Sequence, residues 1–380
     1  MKYFFVPGRK WVLSLYEVFS VLNSSKLSFK SITTGETIFI FDIESEIEKV
    51  EKIFSRLGGF TKFGVVIEDP FEYIEEFLAA KKEGKVNYAI SSHARVSANE
   101  LFKLGMGIKS YIKERGFSCR FVSKRGETIT SAPLLTKNKV IENGFELNII
   151  DYKKGRSWGR TIALQDFESF SKRDYDRPFS NKEKGMLPPK LSLMMVNFAG
   201  LEDGKTIWDP FCGSGTILQE ALLLGFNVVG SDSDAKSIDE SKGNIDWLMK
   251  EYGVKDCQVS IFQQDATHII NEKFDFDAII TEPYLGPILR SVPGEARVVS
   301  IIEGLELLYS SFLNNVSELC KSNSKIIIVI PEFKDRYGWK SLDLNRVVPS
   351  MFDIVDNEKN LHWDRPNSII RRQINILVKK

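Results

Sequence analysis

Cysteine and histidine are scarce in this 380-residue chain, and their scarcity removes several kinds of chemistry. The four cysteines (Cys119, Cys212, Cys257 and Cys320) lie far apart and form no Cys-x-x-Cys pair, so neither a zinc knuckle nor a disulfide framework is expected. His93, His268 and His362 share no metal-ligand spacing, and no bound metal is expected. An excess of one charge sign is also missing. The formal net charge is +1, so any basic surface is local and balanced by acids elsewhere. No apolar run approaches the length that crosses a bilayer. The stretch before Pro7 and Gly8 is apolar for only four residues, too short for a signal peptide. A reducing cytoplasm is the expected setting. The Gly-x-x-x-x-Gly-Lys-Ser/Thr signature of a nucleotide P-loop is absent, and Gly213-Ser-Gly215 lacks the third glycine of the dinucleotide fingerprint.

What is present is the string Asp209-Pro-Phe-Cys-Gly-Ser-Gly-Thr216, between the apolar run Thr206-Ile-Trp208 and the helical pattern Ile217–Leu224. A strand ends in a carboxylate, a glycine turn follows, and a helix begins. The glycines allow backbone to approach a ligand, and the helix start offers unpaired N–H groups. Asp209 makes this a poor phosphate cradle, because an acid repels an anion. It suits a cationic ligand with an amino group, such as the sulfonium and α-ammonium of S-adenosyl-L-methionine. Phe211, Gly213, Ser214, Gly215 and Thr216 are the loop's contact candidates.

The length predicts two or three domains. Residues 1–60 read as β-α-β-β-α, which suits a ferredoxin-like α+β unit. Residues 61–160 repeat a mixed pattern, in which Ser97-Ala-Asn-Glu100 is a capping box opening a helix. This stretch concentrates cations: Lys103, Lys109, Lys113, Arg115, Arg120, Lys124 and Arg125. Composition leaves two readings, a solvated helix face or a patch that positions RNA through its phosphates without reading sequence. Residues 161–185 are polar and read as a linker. From 186 to 380 strands and helices alternate, giving an α/β, doubly wound, Rossmann-like domain with its ligand at the carboxyl ends of the first strands. Its strands are predicted at 206–209, 227–232, 258–262, 276–281, 325–331 and 368–378, the last antiparallel at the sheet edge.

The strand ends carry the chemistry. Asp232, beside Ser233, is placed to accept hydrogen bonds from the two ribose hydroxyls of an adenosine, while Asp234 is free to cap the next helix. Asp265, beside Ala266, is a candidate acceptor for the adenine amino group, although Asp after a strand is also common in turns. The fourth strand runs into Thr281-Glu-Pro-Tyr284. Methylating an exocyclic amine on a base demands such a set, because the nitrogen lone pair is delocalised into the ring. An acceptor side chain (Glu282) and a carbonyl held rigid by Pro283 take the two amine hydrogens, and an aromatic ring (Tyr284) stacks on the base. Cys212 beside the loop reads as a packed small residue, not a nucleophile. Residues 286–300, without clear periodicity, read as a flap that carries Arg290 and Arg297.

The chain resembles the THUMP-domain tRNA guanosine-N2 methyltransferases of archaea and related bacteria. The resemblance rests on Asp209–Thr216, Gly159-Arg-Thr-Ile-Ala-Leu-Gln-Asp166, Lys172-Arg-Asp-Tyr-Asp-Arg-Pro178 and Gly185-Met-Leu-Pro-Pro-Lys-Leu191. It implies a ferredoxin-like domain, a THUMP domain that grips the tRNA acceptor end, and a class I methyltransferase domain with a seven-stranded sheet. Pro188 and Lys190 are then expected near S-adenosyl-L-methionine. The implied product is N2-methyl- or N2,N2-dimethylguanosine, with position 10 of tRNA the commonest target. One departure stands out. The family's Asp/Asn-Pro-Pro-Tyr/Phe is Thr281-Glu-Pro-Tyr284 here, so either Glu282 replaces the acid and a proline is lost, or Thr281 holds the acid's place. Glu282 is favoured, because a hydroxyl alone polarises the amine less. Two other readings remain, a DNA adenine-N6 or cytosine-N4 methyltransferase and a catalytically degenerate RNA-binding scaffold. A small accessory subunit or a homodimer is left open.

Overall fold

The computed structural model describes residues 1–152, 155–180, 186–268, 274–355 and 361–380. Gly185 and the end of the expected linker, residues 181–185, lie outside the described residues. The chain divides into two compact units, Met1–Ser14 with Lys26–Phe167, and Leu15–Ser25 with Glu168–Lys380.

The first unit contains β1 (Lys2–Pro7), the first turn of α1 (Trp11–Ser24, which from Leu15 belongs to the second unit), β2 (Phe29–Thr34), β3 (Phe39–Ile43), α2 (Ile47–Ser55), β4 (Phe60–Ile67), α3 (Pro70–Lys81), β5 (Lys85–Ser92), α4 (Ala98–Glu114), β6 (Ser118–Val122), α5 (Ala132–Lys137), α6 (Val140–Asn143), β7 (Gly144–Tyr152) and β8 (Gly155–Leu164). Its eight strands form one sheet in the order β2-β3-β1-β4-β8-β7-β5-β6. The boundary expected after residue 60 falls at the start of β4, which pairs with β1 on one side and β8 on the other. The backbone ladder therefore runs continuously across that boundary. Phe5, Phe39, Phe54, Phe60 and Phe63 meet in one aromatic cluster on the β1–β4 part. Helix α4 begins where the sequence predicts, with Ser97 and Glu100 exchanging the reciprocal bonds of a capping box. Its buried stripe of Leu101, Gly105, Ile108 and Ile112 packs with Tyr88 and Phe121 of the sheet.

The second unit contains α7 (Phe167–Tyr175, from its second residue), α8 (Pro189–Phe198), β9 (Thr206–Asp209), α9 (Thr216–Leu223), β10 (Asn227–Asp232), α10 (Ala235–Tyr252), β11 (Val259–Gln263), β12 (Ala278–Thr281), α11 (Glu295–Ser317), β13 (Lys325–Asp335), β14 (Gly338–Ser341), α12 (Leu344–Val347), β15 (Phe352–Ile354), β16 (His362–Trp363) and β17 (Ile370–Lys379). Seven strands follow the path β11-β10-β9-β12-β13-β17-β15, with β14 and β16 attached at its side. The strands from β11 to β13 are parallel and β17 is antiparallel to β13. Residues 326–330 of β13, all Ile and Val, are buried, as a strand covered on both faces requires. β17 is not at the edge as expected, because the short β15 pairs on its far side. Parallel pairing brings the carboxyl ends of β9, β10, β11 and β12 onto one rim.

Candidate active site

The rim holds a cavity of about 930 Å³ whose wall includes Asp209, Asp232, Asp265 and Glu282. Four separate strand ends thus converge on one space, as the reading of the sequence required. The glycine loop forms the floor. Gly213 and Gly215 have φ of +51° and +81°, a left-handed backbone that side chains disfavour. A Cβ on Gly215 would also lie 2.6 Å from the Ser241 hydroxyl. Phe211, Gly213, Ser214 and Thr216 line the cavity, whereas Gly215 caps α9 behind it.

Asp209 is 1% exposed, and burial pushes its carboxyl up to about 7 despite hydrogen bonds from the Thr281 hydroxyl (2.7 Å) and the Phe211 N–H (3.1 Å). Asp232 and Glu282 add like-charge repulsion. A buried carboxylate held so close to neutrality favours a cationic ligand. Asp232 accepts from the N–H groups of Gly213 (3.0 Å) and Asp234 (3.0 Å), which fix its carboxylate across the mouth of the loop. Asp234 caps α10 through the Lys236 N–H, so Asp232 is spared that task. Asp265 bonds the N–H and hydroxyl of Thr267, closing a local turn that holds its carboxyl below the usual range. Ser233 and Ala266 line the cavity beside these acids.

The Thr281–Tyr284 turn places its two candidate acceptors differently. Thr281 is fully buried and its hydroxyl is spent on Asp209, while Glu282, Pro283 and Tyr284 all line the cavity. Tyr284 is 58% exposed, so its ring is open to a stacking partner. Two residues that sequence reasoning missed steady this turn. Arg372 of β17 grips both oxygens of Glu282, through Nε and, at 3.1 Å, through Nη2. Tyr309 of α11 is fully buried, with its hydroxyl 3.3 Å from the Tyr284 carbonyl and 3.2 Å from that of Val329.

Other candidates sit further off. Pro188 caps α8 and Lys190 lies 5.2 Å from the Phe170 ring; neither lines the cavity, which takes Met186 and Leu187 from that segment instead. Cys212 is buried and burial pushes its thiol well up, consistent with a packing role. The expected flap is shorter than predicted, because α11 already begins at Glu295. The six cations proposed for RNA divide into three places. Lys109, Lys113 and Arg115 end α4, and Lys124 and Arg125 follow β6 beside Phe102 in a second cavity of about 430 Å³. Arg120 alternates with Cys119 and Phe121, which face α4, and so points to the other side of the sheet. Arg115 is bonded to Glu75 and stacked on Tyr111, and Lys124 is paired with Glu127.

Comparison with known proteins adds what this chain is similar to. Residues 176–337 match the RMKL-like methyltransferase domain family. That match lies within the second unit. A DNA methylase family also matches, over residues 68–243, a span that stops short of Glu282. The chain is 34% identical over 197 residues to the tRNA (guanine(10)-N2)-dimethyltransferase of Methanothermobacter thermautotrophicus, covering 51% of each. It is 26% identical over 227 residues to the enzyme of the same name from Methanocaldococcus jannaschii, covering 58% of this chain and 56% of that one. The chain thus spans about half the length of the curated relatives it matches. Over its whole length it shares its fold with TrmN from Thermus thermophilus (TM-score 0.55, 13% identity, all of both chains). The same holds for a possible methylase from Clostridium difficile 630 (TM-score 0.52, 14% identity, covering 100% of this chain and 99% of that one). Among the described residues no group of side chains able to hold a metal ion occurs, and no helix is long and apolar enough to cross a membrane.

Proposed function

We propose that this protein methylates the exocyclic N2 amine of a guanosine in tRNA, at position 10, using S-adenosyl-L-methionine. The product is N2-methyl- or N2,N2-dimethylguanosine. The observation that carries this reading is that Glu282, Pro283 and Tyr284 line the same cavity as Asp209 and Asp232. Amine-handling groups and acids suited to an adenosyl cation therefore share one space. Similarity to two guanine(10)-N2-dimethyltransferases supports the base and its position.

When bound, the donor supplies an electrophilic methyl on a sulfonium. Asp232 would hold its ribose, Asp209 its ammonium end, and Asp265 its adenine amine. Glu282 accepts a hydrogen from the substrate amine, and the Pro283 carbonyl takes the second. Arg372 orients the Glu282 carboxylate through its two N–H contacts. Tyr284 stacks on the base. Positioning does most of the catalytic work, and no covalent nucleophile is needed. Residues 61–160 act as a THUMP domain whose cations hold tRNA phosphates, and the setting is the cytoplasm. Among the described residues no carboxylate pairs with Lys109, Lys113, Arg120 or Arg125, which leaves them the stronger phosphate candidates.

The DNA methylase match favours a second reading, methylation of an amine in DNA. Tritium transfer from labelled donor to tRNA and to duplex DNA, run side by side, tests both. Label in tRNA alone supports the first reading, and label in DNA alone removes it.

A further inference from the structure

The hairpin of β13 and β14 has no part in the chemistry above, yet the sheet sets it beside the Glu282–Tyr284 turn. β12 pairs with β13 only as far as Thr281 opposite Ile328. β13 then runs on to Asp335, roughly 20 Å of further strand. β17 occupies one edge of β13 as far as Phe333, so β14, paired with Glu332–Asp335, takes the edge that β12 has vacated. The hairpin therefore stands over the end of β12, where the Glu282–Tyr284 turn departs. A Cβ on Gly286 would lie 3.2 Å from the Phe333 ring, so the segment after that turn packs against the hairpin's base.

Its surface has one chemical character. Arg336 and Tyr337 form the tip; Tyr337 is 65% exposed, and the Arg336 guanidinium lies 4.6 Å from its ring centroid. Buried Asp335 accepts from the N–H groups of Tyr337 (2.7 Å) and Gly338 (2.9 Å), which fixes the tip. The hairpin's other acid, Glu332, is also buried and bonded to Arg371. Lys334, Arg336 and Lys340 are exposed, and among the described residues no ion pair engages them. The outer surface is thus cationic around one open aromatic ring, in a chain whose net charge is only +1. Ring and cations together suit an unpaired nucleotide, with its base on the ring and its phosphates on the cations. A base drawn out to Glu282 leaves such a neighbour behind, because its departure uncovers the face of the next base in the stack.

We infer that this hairpin is an RNA contact of the second unit's own. Tyr337 stacks on a nucleotide flanking the target guanosine, and Lys334, Arg336 and Lys340 hold the neighbouring phosphates. This rests on the reading that tRNA is the substrate. It adds a contact close to the reacting base, separate from the basic stretch of residues 61–160.

Filter binding of unmodified tRNA to the full chain tests it. Tyr337→Ala should weaken binding about ten- to a hundredfold, the range of one base stacked on an aromatic ring, and Tyr337→Phe should retain wild-type affinity. Replacing Lys334, Arg336 and Lys340 by Ala should lower the slope of log affinity against log salt by up to about three. Calorimetric affinity for S-adenosyl-L-methionine should stay at the wild-type value in every variant, the mark of an intact fold. A tRNA lacking the base on one side of position 10 should bind the wild-type protein as weakly as intact tRNA binds Tyr337→Ala, and that variant should lose nothing further on it. Unchanged affinity and salt slope in the variants overturn the inference, as does equal loss in Tyr337→Phe and Tyr337→Ala. Equal affinity of the wild-type protein for intact tRNA and for tRNAs abasic on either side of position 10 overturns it whether or not a variant folds. Failure of the wild-type protein to bind tRNA at all defeats the tRNA reading itself, a different result from indifference to the hairpin.

Discussion

Asp209 joins the two parts of the proposed site, because its carboxyl accepts from Thr281 at the base of the Glu282–Tyr284 turn while lining the cavity proposed for a cationic donor. Its raised value of about 7 has a sign that matters. The folded protein holds a proton that the unfolded chain releases near the ordinary value of 3.8, so this residue costs stability as pH rises from about 4 to 7. Asp209→Asn should therefore raise the melting temperature of the ligand-free protein at pH 8 and leave it little changed at pH 4. The same variant should weaken donor binding, and wild-type affinity should fall between pH 8 and pH 6 as Asp209 takes up its proton. Thermal scans and titrations at those pH values check both parts. Glu282→Ala should cut turnover by at least about a hundredfold, the lower end for a positioned proton acceptor, with donor affinity nearly unchanged. Unaltered turnover in a single-turnover assay would remove Glu282 from the mechanism.

The parallel strands of the second unit were legible because buried strands announce themselves as runs such as Ile326–Ile330, and each acid sits at the end of its own run. Other features left no local trace. Arg372 meets Glu282 across 90 residues, and only the pairing of β17 beside β13 makes them neighbours. The start of α11 was read as flap because Gly294 provides no capping side chain and Val298 is the first buried position of the helix. In the first unit, Lys62 sits mid-strand in an apolar run, and its partner Glu146 lies on a different strand. The two are 2.5 Å apart and fully buried, and Ser91 and Thr161 also bond Glu146. Glu146→Ala would leave the lysine charge buried alone and should cost about 3–5 kcal/mol of stability, measurable by denaturant unfolding followed at the first unit. A loss well under about 1 kcal/mol would mean water reaches Lys62.

Taken whole, the chain joins an eight-stranded unit with a basic stretch to a unit similar to methyltransferase domains, with a near-neutral total charge. If the basic stretch holds tRNA, replacing Lys113, Arg115, Arg120 and Lys124 by Ala should weaken tRNA binding and flatten its salt dependence by up to about four counterions. The ion pairs of Arg115 with Glu75 and Lys124 with Glu127 predict that those two contribute less than Lys113 and Arg120. An unchanged slope across a salt series would assign the patch to ordinary surface. The central proposal, though, concerns the rim, where Asp209, Asp232 and the Glu282–Tyr284 turn share one cavity. The most direct measurement is mass spectrometry of nucleosides from unmodified tRNA incubated with the protein and S-adenosyl-L-methionine. N2-methylguanosine or N2,N2-dimethylguanosine formed by the wild-type protein and lost with Glu282→Ala is the predicted result. A methyl group on any other nucleoside, or no transfer at all, would contradict it.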